Sequence, residues 1–392
     1  MPTRGFKIYT RLRMKKVLIT GVTGMDGSTM SDYLLKNTDN IIVGGVRRLS
    51  VENHKNIEHL RDNERFRLID LDVTDPINTE KVIKEEAPDY FINFAANSFV
   101  GNSWDMPINH MQTNFLPVIY QLEAIRKYVP NCRYYNAGSS EQFGNVDYSP
   151  QDITHPFKPR SPYGVSKCAA HNVVKVWRES YNLYAVQGIL FNHEGVRRGE
   201  EFVTRKITKN VARIHKEIQE GKFPTPLELG NLDAKRDWSD SEDFVDGIWR
   251  MLNQENQPRM SQMCLPHFAV GKTGVEFDVS KASHLIKDYV LASGETHSIR
   301  EFVEEAFEVA GIYKSDCHWS GEGLNEKYVF SSYNRGPEQH ILAKINPKFY
   351  RPCEVSLLHG DATPAKTELG WEPKTSFKEL VSKMVKNDYE TA

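Results

Sequence analysis

The stretch Lys16-Val-Leu-Ile-Thr-Gly-Val-Thr-Gly-Met-Asp-Gly27 decides the fold of this 392-residue chain. An apolar run leads directly into three glycines, Gly21, Gly24 and Gly27, which open a predicted helix. Glycines at such a turn let the backbone approach a pyrophosphate, which then binds at the helix N-terminus. We therefore expect a dinucleotide cofactor here, with Thr23 and Asp26 among its contacts. The alternative is a tight strand-to-helix turn that holds no ligand.

The glycine turn begins an alternation of strands and helices that fills the first half of the chain. Continuous apolar runs indicate strands covered on both faces, and strand–helix–strand alternation predicts a parallel sheet. The predicted strands are Lys16–Thr20, Ile41–Val46, Phe66–Asp70, Tyr90–Ala95, Arg133–Ala137 and Ala185–Phe191. The predicted helices cover residues 28–36, 76–86, 108–128 and 163–181. The predicted fold class is α/β, with a Rossmann-type doubly wound parallel sheet.

The second half of the chain has a looser pattern, which predicts a smaller, mostly C-terminal α/β domain that binds the substrate. We assign residues 14–193 and 231–255 to the cofactor-binding domain, and residues 194–230 and 288–388 to the substrate-binding domain. Residues 256–287 match neither helix nor strand periodicity and are predicted to be an insertion. Residues 1–13 precede the first strand and are predicted to be a disordered arm.

Composition excludes several classes of partner. The formal net charge is -2, from 50 basic and 52 acidic residues, so nothing in it favours nucleic acid or an anionic membrane. No apolar run approaches the roughly 20 residues of a membrane-spanning helix, and the basic N-terminus lacks the apolar region of a secretory signal. The five cysteines are odd in number and not closely paired, which argues against disulfides and against a metal site. These features together predict a cytoplasmic protein.

Tyr163 and Lys167 are the strongest candidates for catalysis. Four residues apart, they can share one helical face, where the ammonium can lower the pKa of the phenol from about 10. The phenol can then act as a base toward an alcohol, while Lys167 also holds the nicotinamide ribose. Ser139, at the end of the fifth predicted strand, can share a hydrogen bond with the substrate hydroxyl. The rival interpretation is a surface helix with an incidental Tyr–Lys pair.

Glu141 separates plain oxidation from dehydration. A ketone formed at one carbon acidifies the proton on the next carbon, and a carboxylate can remove that proton. Because Glu141 follows Ser139 by two residues, we interpret it as this second base. The alternative is an ordinary solvated carboxylate in a loop.

The end of the second strand favours NADP over NAD. An NAD site has an acid there to bind the ribose 2′-hydroxyl, whereas this strand ends in Arg47 and Arg48. Guanidinium groups suit a 2′-phosphate. The alternative is that the pair lies on a solvated surface or a subunit contact. Further cofactor contacts are predicted at Asp72, Val73, Ala95, Ala96, Ser98, His193 and Arg198, together with Tyr163 and Lys167.

Several later blocks carry polar and charged groups suited to a nucleoside diphosphate. Their most specific stretches are 188–194, 197–199, 202–207 and 229–238, followed by Arg351-Pro-Cys-Glu354. With the glycine spacing and the Tyr163–Lys167 pair, they make the chain resemble the GDP-mannose 4,6-dehydratase family of extended short-chain dehydrogenases. The likeness runs from about Lys15 to Asp388.

The resemblance implies a reaction in three stages. Tyr163 takes the proton of the carbon-4 hydroxyl as a hydride moves to NADP, Glu141 removes the carbon-5 proton as water leaves carbon 6, and the hydride returns to carbon 6. It also implies a homo-oligomer, a dimer or tetramer, in which the Arg47–Ser50 segment reaches a neighbouring subunit. The substrate contacts that we assign are Ser98, Ser140, Glu141, Asn192, Val203, Lys206, Leu229, Asn231, Arg236, Arg351 and Glu354.

The chain departs from the family pattern around the sugar. Ser139 stands where the family has threonine, Met25 stands for a glutamine, and Asn97-Ser98-Phe99 stands for Gln-Ser-His. Glu194-Gly-Val196 replaces Glu-Ser-Pro. GDP-mannose is therefore the first substrate expected, and GDP-manno-heptose or another GDP-sugar is the alternative. An epimerase or reductase on the same scaffold, or a non-catalytic relative, also stays open, although Glu141 and the intact Ser139, Tyr163 and Lys167 set favour the dehydratase.

Overall fold

The computed structural model describes residues 13–254, 286–331, 339–350, 353, 355 and 357–391. The predicted arm, residues 1–13, and the predicted insertion, 256–287, lie almost wholly outside these residues. The first half comprises β1 (Lys16–Thr20), α1 (Met25–Asn37), β2 (Ile41–Val46), β3 (Phe66–Asp70), α2 (Pro76–Glu86), β4 (Tyr90–Asn93), α3 (Pro107–Asn114), α4 (Leu116–Tyr128), β5 (Arg133–Ala137), α5 (Pro162–Tyr181) and β6 (Ala185–Leu190).

The second half is built from shorter pieces. They are β7 (Asn192–Glu194), α6 (Val203–Gln219), β8 (Leu227–Leu229), β9 (Lys235–Arg236), β10 (Trp238–Asp240), α7 (Ser241–Met251), β11 (Tyr289–Leu291), β12 (His297–Ser298), α8 (Ile299–Val309), β13 (Cys317–Ser320), β14 (Lys327–Ser331), β15 (Gln339–Ile345), β16 (Leu357–Leu358), α9 (Thr363–Leu369) and α10 (Phe377–Thr391).

Seven strands form one parallel sheet in the order β11-β6-β5-β4-β1-β2-β3. The predicted doubly wound sheet is confirmed. Helices cover both faces: α1 and α7 pack on one, where Leu34 and Phe244 share a core, and α4 and α5 pack on the other, with Leu122 and Val174. The strand order reverses between β1 and β4, and a ligand cleft opens at the carboxyl ends on either side of such a switch point.

The helix predicted over 108–128 is in fact two helices, α3 and α4, which meet at Phe115. Pro117 explains the break, because a proline has no N–H to donate to the preceding turn but fits the first turn of a new helix. The helix that bears Tyr163 was predicted within one residue. Pro162 occupies its first turn, and Ser161 caps it by accepting a hydrogen bond from the Gly164 amide.

The C-terminal elements enclose a second core that is distinct from those of the large sheet. Helices α6, α8 and α10 pack around β8, β14 and β15, and Ile214, Phe302 and Met384 are fully buried there. The four-stranded sheet of this core runs in the order β13-β14-β15-β8. The boundaries of the two predicted domains stay a prediction.

Candidate active site

A cavity of about 1250 Å³ opens at the carboxyl edge of the parallel sheet, across the switch point. All four predicted catalytic residues, Ser139, Glu141, Tyr163 and Lys167, line it. The predicted cofactor residues line it as well: Gly21, Thr23, Gly24, Asp26, Gly27, Arg47, Arg48, Asp72, Val73, Ala95, Ala96, Ser98, His193 and Arg198. The fold therefore gathers into one place residues that lie far apart in the sequence.

The glycine turn leaves no room for a side chain. Gly21 has a φ of +66°, and a Cβ there would lie 2.8 Å from the Ala95 amide nitrogen. A Cβ on Gly27 would lie 2.3 Å from the Gly21 carbonyl oxygen. Helix α1 begins at once after Gly24, so its first N–H groups lie at the cavity. A bare backbone cradle at a helix N-terminus fits the pyrophosphate of a dinucleotide.

Asp26 would repel such an anion if it stood alone, but it is paired with His193. The His193 Nε2 lies 3.0 Å from Asp26 Oδ1, and its Nδ1 lies 2.9 Å from the Phe191 carbonyl oxygen. Both partners are acceptors, so a doubly protonated, charged imidazole can donate to both. Burial disfavours that charge, yet Asp26 outweighs it and raises the pKa of His193. His193, together with Arg198 and Lys167, holds the pKa of Asp26 low despite its burial.

Ser139 begins a short 3-10 turn, residues 140–142, directly after β5. Its Oγ accepts a hydrogen bond from the Glu141 amide at 3.3 Å, and the Gln142 side chain accepts one from the Ser139 amide at 2.9 Å. This reciprocal pair is a capping box. Glu141 is buried, with 8% of its surface exposed, and it acts electrostatically on Tyr163. The turn therefore fixes both Ser139 and Glu141.

Tyr163 and Lys167 are buried side by side on α5. The pKa of Tyr163 is nevertheless raised, whereas the sequence predicted that Lys167 lowers it. The Lys167 Nζ donates to the Ala137 carbonyl oxygen at 2.7 Å and lies 5.8 Å from the centre of the Tyr163 ring. Burial raises the pKa of Tyr163 to about 12, with Glu141 adding to the rise and a hydrogen bond with Ser139 opposing it. Burial also lowers the pKa of Lys167 to about 8. The prediction that Lys167 lowers the pKa of the Tyr163 phenol is therefore wrong, because desolvation of the phenol has the larger effect.

Gly164 was missed by the sequence reasoning. A Cβ on Gly164 would lie 2.7 Å from the Glu141 carbonyl oxygen, so the first turn of α5 packs directly on the 3-10 turn that carries Glu141. Gln142 was missed as well, although the Ser-x-x-Gln spacing of a capping box was readable in the sequence.

Arg47 and Arg48 are exposed where β2 ends, at the rim of the cavity. Within the described part of the chain, neither forms an ion pair, so both guanidinium groups are available to an anion. Asp72 lies beside them, and its Oδ1 accepts hydrogen bonds from the amide and hydroxyl of Thr74.

The predicted substrate residues fall into three groups. Ser98, Ser140, Glu141, Asn192, Val203 and Arg236 line the cavity. Lys206, Leu229 and Asn231 do not: Lys206 donates to the Glu228 carbonyl oxygen at 2.6 Å, Leu229 is buried in the second core, and the Asn231 side chain accepts from the Asp233 amide. Arg351 and Glu354 lie outside the described residues. The Asn192 Oδ1 is buried and has no hydrogen-bond partner among the described residues, as expected of a group reserved for a ligand.

Aromatic side chains form one wall of the cavity where the sequence departs from the family pattern. The rings of Phe99 and Phe202 meet edge to face at 5.6 Å, and the guanidinium of Arg198 lies 3.6 Å from the centre of the Phe202 ring. Phe99, which stands for a histidine, therefore makes this wall less polar. Met25 is buried, and its sulfur would lie 3.7 Å from a Cβ on Gly195. Met25 and Gly195, which both differ from the family pattern, therefore lie close together.

The described residues contain neither a membrane-spanning helix nor a cluster of metal-binding side chains. None of the helices there is long and apolar enough to span a membrane. No group of three or more histidine, cysteine, aspartate or glutamate side chains in those ranges is placed to hold a metal ion.

Known proteins are similar in sequence to this chain over almost its whole length. The family model described as GDP-mannose 4,6 dehydratase matches residues 18–267 and 277–384. The GDP-mannose 4,6 dehydratase of Drosophila melanogaster is 40% identical, covering 96% of this chain and 87% of the relative. The human enzyme of the same name is 39% identical, covering 95% and 91%, and that of Vibrio cholerae serotype O1 is 36% identical, covering 97% and 95%.

Solved structures with lower identity share the fold. The dTDP-glucose 4,6-dehydratase of Bacillus anthracis, in complex with NAD, is 20% identical with a TM-score of 0.70, and 97% of each chain is covered. RMD of Pseudomonas aeruginosa, complexed with NADPH, is 18% identical with a TM-score of 0.67, covering 97% of this chain and 100% of that one.

Proposed function

The chain belongs to the GDP-mannose 4,6 dehydratase family, and from this premise we propose that it converts GDP-mannose into a GDP-4-keto-6-deoxy sugar. The observation that carries the proposal is the meeting of Ser139, Glu141, Tyr163 and Lys167 in one cavity with the glycine cradle. Oxidation needs the tyrosine, and elimination needs a further base beside it. Glu141 supplies that base from the same turn as Ser139.

The cradle and its rim fit a nicotinamide dinucleotide, and the two rim arginines favour NADP over NAD. Gly21 and Gly27 would hold the pyrophosphate, Arg47 and Arg48 a 2′-phosphate, and Lys167 the nicotinamide ribose. When bound, the dinucleotide accepts a hydride from the sugar, brings the positive charge of its oxidised ring next to Tyr163, and returns the hydride at the end.

Tyr163 is the base for the carbon-4 hydroxyl. Burial raises its pKa to about 12, which keeps it protonated at neutral pH, so the phenolate forms only where further positive charge is added beside it. Ser139 shares a hydrogen bond with the carbon-4 hydroxyl and holds it beside the Tyr163 oxygen. Lys167, with a pKa of about 8, stays mostly charged at neutral pH and stabilises the phenolate.

Glu141 acts after the carbon-4 ketone has formed. It accepts the carbon-5 proton, which the ketone has acidified. The resulting pair of electrons expels the hydroxyl at carbon 6, and the proton held by Glu141 is available to that hydroxyl, so water departs. A double bond between carbons 5 and 6 remains, to which the hydride adds at carbon 6 and a proton supplied by solvent adds at carbon 5.

The nucleotide end of the substrate is proposed to lie along Asn192, Val203 and Arg236, with Arg351 and Glu354 joining them. Because the chain departs from the family pattern around the sugar, GDP-manno-heptose or another GDP-sugar is the second candidate. The exposed segment from Arg47 to Ser50 is proposed to contact a neighbouring subunit in a dimer or tetramer.

The direct test is to incubate the protein with GDP-mannose and NADP in deuterated water, and to follow product mass and nicotinamide absorbance. We expect loss of one water, one deuterium at carbon 5, and no net reduced cofactor. If GDP-manno-heptose gave this signature and GDP-mannose did not, GDP-manno-heptose would be the substrate and the mechanism would be unchanged. An epimerase or reductase would give a product that has lost no water.

Replacing Glu141 with glutamine separates the two bases. Glu141→Gln is expected to oxidise the sugar but not dehydrate it, so bound reduced cofactor should accumulate and turnover should fall about 10²-fold or more. Glu179→Gln, on the exposed face of α5, is the matched control and should turn over normally. Normal water loss in Glu141→Gln would remove Glu141 from the mechanism.

A further inference from the structure

Four polar side chains stand at the same level on four adjacent strands of the parallel sheet. Thr20 of β1 pairs in register with Asn93 of β4, Asn93 with Asn136 of β5, and Asn136 with Gln187 of β6. All four are at least 95% buried. Strands covered on both faces are normally apolar throughout, so a polar residue on every one of them at the same level calls for an explanation.

These side chains form one continuous chain of hydrogen bonds, which we call the polar row. Thr20 donates to Asn93 at 2.7 Å, Asn93 to Asn136 at 2.9 Å, and Asn136 to Gln187 at 2.8 Å. Gln187 then donates to Gln142 Oε1 at 3.2 Å. Every bond runs in the same direction, so each donor polarises the next and strengthens the bond that follows.

The two ends of the polar row lie at the two halves of the active site. At one end, the Ala95 amide, beside the glycine cradle, donates to Thr20 Oγ1 at 3.2 Å. At the other end, Gln142 Oε1 accepts the Ser139 amide at 2.9 Å. Gly138 makes this junction possible, because a Cβ there would lie 2.8 Å from Gln187 Nε2 and 2.9 Å from Gln142 Oε1.

In the part of the chain that the structure describes, Gln142 has an unpaired donor as well as the acceptor that ends the polar row. Its Nε2 is buried and has no hydrogen-bond partner among the described residues, and a buried unsatisfied donor is destabilising. A residue of the same length without polar atoms would avoid that cost, but it would leave the Ser139 amide and the Gln187 Nε2 without their acceptor. What it would lose is the oxygen that joins Gln187 to the Ser139 amide.

We propose that the polar row positions the catalytic turn relative to the cofactor cradle, with Gln142 as its terminal positioning residue. Through the row, the strand that carries the cradle and the turn that carries Ser139 and Glu141 are held as one unit. The roles of Ser139 and Glu141 in this inference rest on the proposed function. The hydrogen-bonded linkage of the turn does not, and it is tested separately.

The first test measures the Ser139 amide directly. Hydrogen–deuterium exchange of the peptide that contains residues 138–143 is compared between wild type, Gln142→Met and Gln187→Met. We expect the Ser139 amide to exchange at least tenfold faster in both variants. Unchanged exchange in both would overturn the proposal, whatever reaction the protein catalyses.

The second test separates positioning from stability. Gln142→Met leaves the Ser139 amide and the Gln187 Nε2 without their acceptor, so it is expected to lower the unfolding midpoint. It should also lower kcat about tenfold to a hundredfold with little change in KM, since small displacements of reacting groups have effects of that size. The control is Gln151→Met: Gln151 is fully buried, bonds to Tyr148 and His359, and lies outside the cavity. It should lower the unfolding midpoint and leave kcat unchanged.

The outcomes of the two tests can be told apart. A wild-type protein that removes no water from any GDP-sugar would defeat the proposed function, and the exchange experiment would still decide the linkage. An active wild type with equal kcat values in Gln142→Met and Gln151→Met would overturn the positioning role alone. Gln187→Met should repeat the kinetic effect of Gln142→Met, because it breaks the same chain of bonds one step earlier.

Discussion

At the scale of single residues, burial governs the chemistry of the site. Tyr163 and Lys167 are each less than 10% exposed, and desolvation shifts both toward their neutral forms. The sequence predicted which residues would meet, because spacing and strand ends determine that. It could not predict their pKa relation, because the degree of burial depends on elements far away in the chain.

Tyr163→Phe should abolish the first proton transfer while it preserves the packing of α5. We expect turnover to fall about 10³-fold or more, since loss of a positioned general base costs up to about 10⁴-fold. Binding of the dinucleotide, measured by fluorescence, should stay close to that of wild type. Tyr181→Phe, on the exposed C-terminal turn of the same helix, is the control. Full turnover of Tyr163→Phe would contradict the assigned base.

The lowered pKa of Lys167 also predicts a dependence of stability on pH. Its pKa of about 8 in the folded protein lies below the unfolded value of 10.5. Between those values the unfolded chain binds more protons, so this residue makes the free energy of unfolding rise with pH. The burial penalty is fully present below pH 8. Lys167→Met should therefore be more stable than wild type at pH 7, on the order of 1 to 3 kcal/mol, and the difference should shrink toward pH 10. Urea unfolding at both pH values measures it, and a constant difference would contradict the assignment.

At the scale of elements, strong patterns were predictable and short ones were not. Several strands of the large sheet are largely apolar runs, and the predicted bounds of β1 to β6 agree closely with the structure. Strands of two or three residues, such as β9 and β12, carry no readable period, because their pairing depends on chain segments that are distant in sequence. Lys206 and Leu229 do not line the cavity, and their contact with the substrate stays a prediction.

The start of α5 offers a test at this scale. Ser161→Ala removes the cap of the catalytic helix and should lower the free energy of unfolding by about 1 kcal/mol. Ser298→Ala removes the cap of α8 and should cost a similar amount. Only the first should also reduce kcat, because α5 carries Tyr163 in its first turn. Urea unfolding and initial rates measure the two effects, and equal kcat values would show that the cap has no part in the site.

At the scale of the whole molecule, a buried ion pair joins parts of the chain that lie 110 residues apart. Arg178 of α5 donates to both oxygens of Asp288, at 2.7 and 2.8 Å, and Asp288 also accepts the Gln187 amide at 2.7 Å. Asp288, which directly precedes β11, therefore links that strand to α5 through Arg178 and to β6 through the Gln187 amide. No local pattern in the sequence indicated this pairing.

Removing one partner of this pair leaves a buried, uncompensated charge. Arg178→Met should lower the free energy of unfolding by about 3 to 5 kcal/mol. Arg126→Met, which breaks an exposed pair with Glu123, should cost less than about 1 kcal/mol. Urea unfolding of both variants measures the contrast, and a small effect of Arg178→Met would show that the segment is held by other contacts.

The exposure of Arg47 and Arg48 has a consequence for how the protein responds to its ionic surroundings. Fields of exposed charges are screened over about 8 Å at physiological ionic strength, whereas the backbone cradle at Gly21 binds through N–H groups in a sheltered cleft. Added electrolyte should therefore weaken the hold on a 2′-phosphate much more than the hold on the pyrophosphate. As salt is added, the affinity for NADP should fall toward the affinity for NAD. The salt concentration at which the two affinities become equal would then report how exposed to solvent the two guanidinium groups are.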